Sequence, residues 1–319
     1  MHKPPPLHGP LIAADTPILV QGATGRSGRA QTAGMIAYGT KIVAGVSPRD
    51  DEASAIPLFR SCADAVAATG ARASVCFVPP LGVLEAVYDA IAGGIELIVT
   101  VAEGMPVHDA LKAKAATRAA GVRWIGPSTP GMAIPGKLKM GFLPNVSLAP
   151  GSLGVMSKSG TLSYEVCYRL VKAGFGQTLW VGVGGDSVKG TRFADLVPIF
   201  AADPATEGIV VIGEIGGREE EELAEALIAT GCDKPVFALL AGRSALEGVT
   251  MGHAGALIQS NVGTIDTKTA ALRRAGAQVF PRIHDLVEAV AATLGANALG
   301  RAHPRPAAEP IGIVKWEQP

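Results

Sequence analysis

The sequence predicts an α/β protein built as two domains of parallel sheet with helices on both faces. Three observations predict it. Short, nearly continuous apolar runs alternate with stretches of helical periodicity along most of the 319 residues, the pattern of strands buried on both faces. Glycine is abundant, at 40, and aromatic residues are only 5% of the chain, as frequent tight strand-to-helix turns require. The alternation breaks once, at Gly126-Pro127-Ser128-Thr129-Pro130-Gly131, and then begins again; a chain of this length suits two domains of ordinary size. The expected organisation is a loose Pro-rich lead over 1–14, a first domain over 15–128, a second over 129–296 and a Pro-rich tail over 297–319.

In the first domain, Pro17 to Gln21 reads as a strand. It runs into Gly22-Ala23-Thr24-Gly25-Arg26-Ser27-Gly28 and then a helical stretch through Ala37. Bare glycine amides at a helix start form an anion site, so Thr24, Gly25, Arg26 and Ser27 are candidate phosphate contacts. The spacing is G-x-x-G-x-x-G rather than that of the dinucleotide fingerprint. A second strand, Lys41 to Val46, ends at Ser47-Pro48-Arg49-Asp50-Asp51. Asp50 or Asp51 would suit the ribose of NAD, and Arg49 an extra phosphate. Strands follow at Ala73–Val78, Glu96–Val101 and Val122–Gly126, with helices over Leu84–Ile91 and Val107–Ala120 between them. Thr24, Ser47, Pro79 and Glu103 all fall at C-terminal strand ends, where such sheets bind ligands.

Residues 132–150 read as irregular, rich in glycine and proline. The second domain then starts with a strand at Gly154–Ser157. Lys158-Ser159-Gly160-Thr161 turns into a helix with Leu162, Val166 and Leu170 on one face. Hydroxyls and glycine at that helix start suit an anion, with Lys158 adjacent, or a plain N-cap. Leu179 to Asp186 is a strand and turn, and Arg192–Ala201 a helix. The strand Gly208–Ile212 leads to Glu214 and two glycines, while Glu219 to Glu222 read as a solvated first helical turn. Val236 to Gly242 is a strand that feeds Met251-Gly252-His253-Ala254-Gly255-Ala256. A helix over 267–276, the strand Gln278–Phe280 and a helix over Ile283–Leu294 complete the domain.

Lysine plus arginine equals aspartate plus glutamate at 28 each, which argues against nucleic acid or an anionic membrane as the partner. No stretch approaches the roughly 18 consecutive apolar residues of a membrane span, and Met1 to Pro10 lacks the apolar core of a signal peptide. Cys62, Cys76, Cys167 and Cys232 show no metal-binding spacing and read as thiols of a reducing cytoplasm. No metal site is expected.

Glu214, His253 and Ser159-Gly160-Thr161 lie at the ends of strands in one sheet. A carboxylate can hold one ring nitrogen of a histidine, freeing the other to attack an electrophile. A helix start nearby would stabilise the dianion that results. Together these groups describe a phosphohistidine.

The sequence resembles the α subunit of succinyl-CoA synthetase and related ADP-forming acyl-CoA ligases from about Ile18 to Leu294. The resemblance rests on Gln21-Gly22-x-Thr24-Gly25, Ala37-Tyr38-Gly39-Thr40-Lys41, Thr100-x-x-Glu103-Gly104, Ser157-x-Ser159-Gly160-Thr161-Leu162-x-Tyr164-Glu165, Gly174-Phe175-Gly176-Gln177, Gly213-Glu214-Ile215-Gly216-Gly217 and Met251-Gly252-His253-Ala254-Gly255-Ala256, in family order. It implies a Rossmann-like CoA-binding domain followed by a flavodoxin-like, doubly wound ligase domain. It implies CoA contacts at Thr24, Gly25, Arg26 and Ser27 and at Ala102, Glu103 and Gly104. It implies His253 as the phosphorylated residue, Glu214 as its orienting carboxylate, Ser159, Gly160 and Thr161 as phosphate holders, and Tyr164 near the organic acid. ATP or GTP with magnesium would sit on a separate ATP-grasp β subunit, in an αβ or α2β2 assembly.

The chain departs from the family in several places. Ser128 and Thr129 stand where the family has Asn-Cys, in a loop near the thiol and substrate, so the acid need not be succinate. Asp50 stands where the family has a lysine, beside Arg49. Glu247-Gly248-Val249-Thr250 replaces a basic run before the histidine, and Ser260-Asn261-Val262-Gly263 a Gly-Gly-Lys-Gly. Two alternatives stay open: an NAD-dependent dehydrogenase, from the Gly-rich turn and Asp50 alone, and a CoA-binding regulatory protein without ligase activity, from the loops that depart from the family pattern.

Overall fold

The computed structural model describes residues 11–52, 54–244, 252–257 and 263–298. The lead through Pro10, Glu247 to Thr250, Met251, Ser260 to Val262 and the tail from residue 299 lie outside the described residues.

The first sheet alternates β1 (Ile18–Gln21), α1 (Arg26–Ala37), β2 (Ile42–Val46), β3 (Leu58–Phe59), α2 (Cys62–Thr69), β4 (Ala73–Cys76), α3 (Val83–Ala92), β5 (Leu97–Thr100), α4 (Val107–Ala119) and β6 (Arg123–Ile125). Its order is β3-β2-β1-β4-β5-β6, all parallel. This is the Rossmann order, with its switch point between β1 and β4. Strands β1, β4 and β5 are buried at every residue, and their polar members are satisfied: Gln21 donates to the Ala86 carbonyl, Ser74 donates to Gln21, and Thr100 accepts from the Trp124 indole. Strand β3 and helix α2 are additional to the elements read from the sequence. Helix α2 is alanine-rich and short, and its boundaries are set locally: Ser61 accepts from the Asp64 amide at its start, and Gly70 closes it in the left-handed region.

The second sheet comprises β7 (Gly131–Ile134), β8 (Leu138–Gly141), β9 (Pro150–Ser157), β10 (Gln177–Gly182), β11 (Gly208–Glu214), β12 (Val236–Ala241) and β13 (Gln278–Phe280). Helices α5 (Gly160–Lys172), α6 (Phe193–Ala202), α7 (Glu219–Thr230), α8 (Ile265–Arg274) and α9 (Ile283–Ala298) cover it. The order is β13-β12-β11-β9-β10-β7-β8. Its five parallel strands follow the flavodoxin order, which switches direction between β9 and β11.

The stretch 132–150 is not irregular. It carries the antiparallel hairpin β7–β8, with Ile134 opposite Leu138 across the Pro135-Gly136-Lys137 loop, and extends the sheet beyond β10. The hairpin also grips the first domain. Thr40 Oγ1 donates to the Lys139 carbonyl and accepts from its amide, both at 2.9 Å. The Tyr38 hydroxyl accepts from the Gly136 amide at 2.9 Å. One continuous apolar core joins Ile18, Val20 and Met35 of the first domain to Met132, Met140 and Val181 of the second. Residues 11–14 are also more than a loose lead, because Leu11 and Ile12 are buried in that core. Among the described residues no helix is long and apolar enough to cross a membrane.

Candidate active site

The Gly-rich turn after β1 has a distinct task for each glycine. Gly22 takes φ +75°, which side chains disfavour, to turn the chain. A Cβ on Gly28 would overlap the Gly22 carbonyl, so this glycine lets α1 pack down on the turn. Gly25 has ordinary extended geometry as the N-cap of α1 and is exposed. Its Cα faces open space apart from Gly22 O at 3.3 Å from an added Cβ. Arg26 and Ser27 are exposed beside it, and Thr24 Oγ1 pairs with Ser47 Oγ at 2.7 Å. The turn is therefore rigid at its ends and open at its middle, which suits an incoming phosphate. The acidic residues that an NAD site would need are engaged elsewhere: Asp51 lies 3.2 Å from Arg29 and Asp50 2.7 Å from Arg60.

The loop after β5 links this turn to the second domain. The Ala102 carbonyl accepts from the Ser128 amide at 2.9 Å, and the Ser128 carbonyl from the Gly185 amide at 3.4 Å. Glu103 and Gly104 are exposed beside it. Ser128 adopts φ +57°, the one described residue other than glycine with positive φ, and such conformations gather at functional junctions. Thr129 is not available to a substrate as the sequence suggested. It is buried, its hydroxyl donates to the Gly182 carbonyl and accepts from the Gly131 amide, and so it fixes the junction.

Strand register sets the second half of the site. Ser157 pairs with Ile212 of β11 on one side and Gly182 of β10 on the other. Two residues further on, Ser159 is therefore level with Glu214 and with Gly184. Ser159 caps α5 by accepting from the Leu162 amide at 3.3 Å. The next amides, of Gly160 and Thr161, belong to the helix start that has no partner within the helix. Tyr164 stands one turn in, with its hydroxyl 3.5 Å from a Cβ added to Gly160 and its ring edge-on to Trp180. Burial pushes its phenol up to about 12.

His253 bridges the ends of the two strands that flank β9. Its Nδ1 lies 2.7 Å from Glu214 Oε2. Its ring lies flat on Gly185, where an added Cβ would sit 2.6 Å from Nδ1. The Gly255 amide donates to the Gly185 carbonyl at 3.1 Å and ties the loop down. The His253 side chain keeps 28% of its surface exposed, while Glu214 keeps 9%. Glu214 Oε1 is buried with no hydrogen-bond partner among the described residues. The hydrogen bond to Glu214 raises the His253 pKa; burial opposes it, the charges of Glu214 and Glu103 add to it, and Lys189 opposes it. The protonated ring thus persists above the ordinary histidine value, and the share of neutral ring grows as pH rises through the raised value.

Beneath Glu214 lies a cluster that the sequence reading misplaced. Glu219 and Glu220 are not solvated but buried, at 3% and 0% exposure. Packing of α7 against α6 and α8 turns them inward, where three lysines meet them. Glu220 lies 2.8 Å from Lys158 and in contact with Lys268, and Glu219 lies 2.7 Å from Lys189. Glu220 Oε1 also accepts from the Glu214 amide at 3.1 Å and so anchors the strand end that carries the site carboxylate. Lys158 is accordingly a buried partner of Glu220 rather than a cation beside the α5 helix start. Burial penalises the Glu220 carboxylate, but Lys158 and Lys268 outweigh it and hold the pKa at about 2. Gly185, Lys189, Glu219, Glu220 and Lys268 are all site-supporting residues that the sequence reading left out of the site. Among the described residues no cluster of three or more metal-ligating side chains occurs.

Two families match the chain. A CoA binding domain family covers residues 13–104 and a CoA-ligase family residues 156–278. The α subunit 1 of the ADP-forming succinate–CoA ligase of Archaeoglobus fulgidus is 42% identical over 88% of this chain and 96% of its own. A subunit of the ADP-forming sulfoacetate-CoA ligase of Bilophila wadsworthia is 39% identical over 89% of this chain and 99% of its own. Among solved structures, ATP citrate lyase of Methanothrix soehngenii, in complex with citrate and coenzyme A, superposes with a TM-score of 0.81 at 25% identity. The alignment covers 93% of this chain but 53% of the lyase chain, so this chain spans about half its length.

Proposed function

Because the chain belongs to the α-subunit family of ADP-forming acyl-CoA ligases, we propose that it joins a small carboxylic acid to CoA through a phosphohistidine at His253. It is an acid–thiol ligase subunit, and neither a dehydrogenase nor a ligase-dead regulator fits its relatives. The observation that carries the proposal is the 2.7 Å contact between His253 Nδ1 and Glu214 Oε2, which leaves Nε2 to react.

In this reading Nε2 attacks the terminal phosphoryl group of the nucleotide, and the bond to the leaving diphosphate breaks. Glu214 keeps the proton on Nδ1, so the attacking lone pair is on Nε2, and it balances the positive charge that develops on the ring. The Gly160 and Thr161 amides at the start of α5 face the phosphoryl oxygens. A carboxylate oxygen of the acid then takes the phosphoryl group from Nε2. The CoA thiolate attacks the resulting acyl phosphate, and inorganic phosphate leaves. We assign residues 15–128 to CoA, with its phosphates at Thr24 to Ser27 and further contacts at Ala102, Glu103 and Gly104. Residues 129–296 carry the phosphoryl chemistry, with Tyr164 and Ser128 toward the acid. ATP or GTP with magnesium belongs to an ATP-grasp β subunit, in an αβ or α2β2 assembly. The chain works in the cytoplasm, which keeps its four free cysteines reduced. Three of these are buried, and burial pushes the thiol of Cys76 up to about 12, which makes it inert.

The acid is one of several short candidates: succinate, malate, citrate or a sulfonated acid. Reconstitution with an ATP-grasp subunit and a panel of these acids tests the proposal. One acid should give nucleotide-dependent CoA thioester, and thioester formed without the partner would refute the two-subunit reading.

The CoA assignment has its own test at Gly25. Gly25→Val keeps an allowed backbone but projects two methyl groups into the open middle of the turn. CoA affinity measured by calorimetry should fall by about tenfold or more, with the unfolding midpoint little changed. Unaltered affinity would move the CoA phosphates elsewhere.

A further inference from the structure

A phosphoryl group on His253 adds two negative charges to a site already rich in carboxylates. Glu214 holds the ring from β11, Glu103 approaches from the first domain, and Asp186 follows the glycine on which the ring lies. Burial raises the Asp186 pKa, Glu103 raises it further, and Lys189 and His253 oppose both. The loop before the histidine, Glu247-Gly248-Val249-Thr250, has an acidic residue and no cation.

Lys189 reaches the glycine wall that carries the ring. Its Nζ donates to the Gly184 carbonyl at 2.6 Å, one residue from the Gly185 surface that carries the imidazole. It is 3% exposed and held by Glu219 at 2.7 Å. Lys158 pairs with Glu220 at 2.8 Å and with Glu219 at 3.8 Å, but among the described residues it is Lys189 whose ammonium also donates to the wall under the ring. Lys268 is committed to Glu220, Glu221 and the Gly217 carbonyl.

Resting on the phosphohistidine reading above, we propose that Lys189 is the buried cation that compensates the phosphoryl charge on His253, acting through the Gly184-Gly185 wall. Burial lowers the Lys189 pKa and the Glu219 charge opposes that. A buried ammonium is screened far less than one on a surface, so one lysine behind the glycine wall can act on the ring. It also lowers the tendency of the ring to protonate, which keeps a larger share of the neutral nucleophile.

The test uses the full chain alone. The His253 imidazole is titrated by NMR in the unmodified protein. His253 is then phosphorylated with potassium phosphoramidate, and the phosphoryl group is titrated by phosphorus NMR. Loss of a nearby cation raises the pKa of both groups. In Lys189→Met both should rise by about half a pH unit or more, and phosphohistidine hydrolysis should quicken about threefold or more. Lys189→Arg should restore most of each. If Lys189→Met does not fold, Lys189→Gln removes the charge while keeping a donor for the Gly184 carbonyl and Glu219, and should give the same rises. Unchanged titration of either group in a folded variant overturns the proposal. A fall of the imidazole pKa toward the ordinary value also overturns it, because it means that Lys189 only supports the Glu214 contact. The imidazole titration needs no phosphate chemistry, so failure of His253 to be phosphorylated by the partner would refute the functional reading and leave the field of Lys189 measurable.

Discussion

His253→Asn is expected to reduce acyl-CoA formation by about four orders of magnitude or more, as loss of a covalent nucleophile does in other enzymes. Asparagine keeps a polar group near Glu214 but has no lone pair to replace Nε2. The side chain is 28% exposed and belongs to no strand or helix, so the fold should survive. CoA affinity should be unchanged, because the Thr24 to Ser27 turn lies in the other domain. The measurement is a coupled ligase assay with the β subunit, beside CoA calorimetry on the same variant. Residual activity within a hundredfold of wild type would mean that the phosphoryl group takes another route.

The second large effect concerns stability. Glu220→Gln should destabilise the chain by about 3 to 5 kcal/mol at neutral pH, because it leaves buried lysines without their shared anion. Lys158 and Lys268 both lose their main partner, and both are buried. Glutamine can still accept from the Glu214 amide, so the loss isolates the charge. Urea unfolding of the single chain measures it, and a loss below about 1 kcal/mol would show that these lysines find other partners or become neutral. The acid limb gives an independent check. Against the penalty of burial, Lys158 and Lys268 depress the Glu220 pKa to about 2 from the ordinary glutamate value of 4.5. Its contribution is therefore fully present above the unfolded value and is lost as pH falls from about 4.5 toward 2. Wild type should weaken across that window by more than Glu220→Gln does.

The two parallel sheets were legible because buried strands write themselves as apolar runs, as at Ile18–Gln21 and Gly208–Glu214. The hairpin at Gly131–Gly141 was not, although Pro135-Gly136 is a turn signal. Its strands are only four residues long, and glycines at both outer ends resemble loop. Glu219 and Glu220 were misread for a different reason. A run of acidic residues at a helix start is locally favourable whether it is solvated or buried, and only tertiary packing decides. The lysines that bury them come from three separate segments. The reactive pair was readable as a carboxylate and a histidine at the ends of neighbouring strands. Their support was not: that Gly185 is the floor under the ring, with Lys189 bonded to the carbonyl beside it, follows from contacts between segments far apart in the chain.

The most direct test of the central claim is the position of the phosphate on the wild-type chain. The protein is incubated with labelled ATP and the β subunit, digested, and the labelled peptide is mapped by mass spectrometry and NMR. The phosphate should be on Nε2 of His253, lost in acid and retained in base, since Glu214 holds Nδ1. A phosphate on Nδ1, on a carboxylate, or on any peptide without His253 would contradict the account.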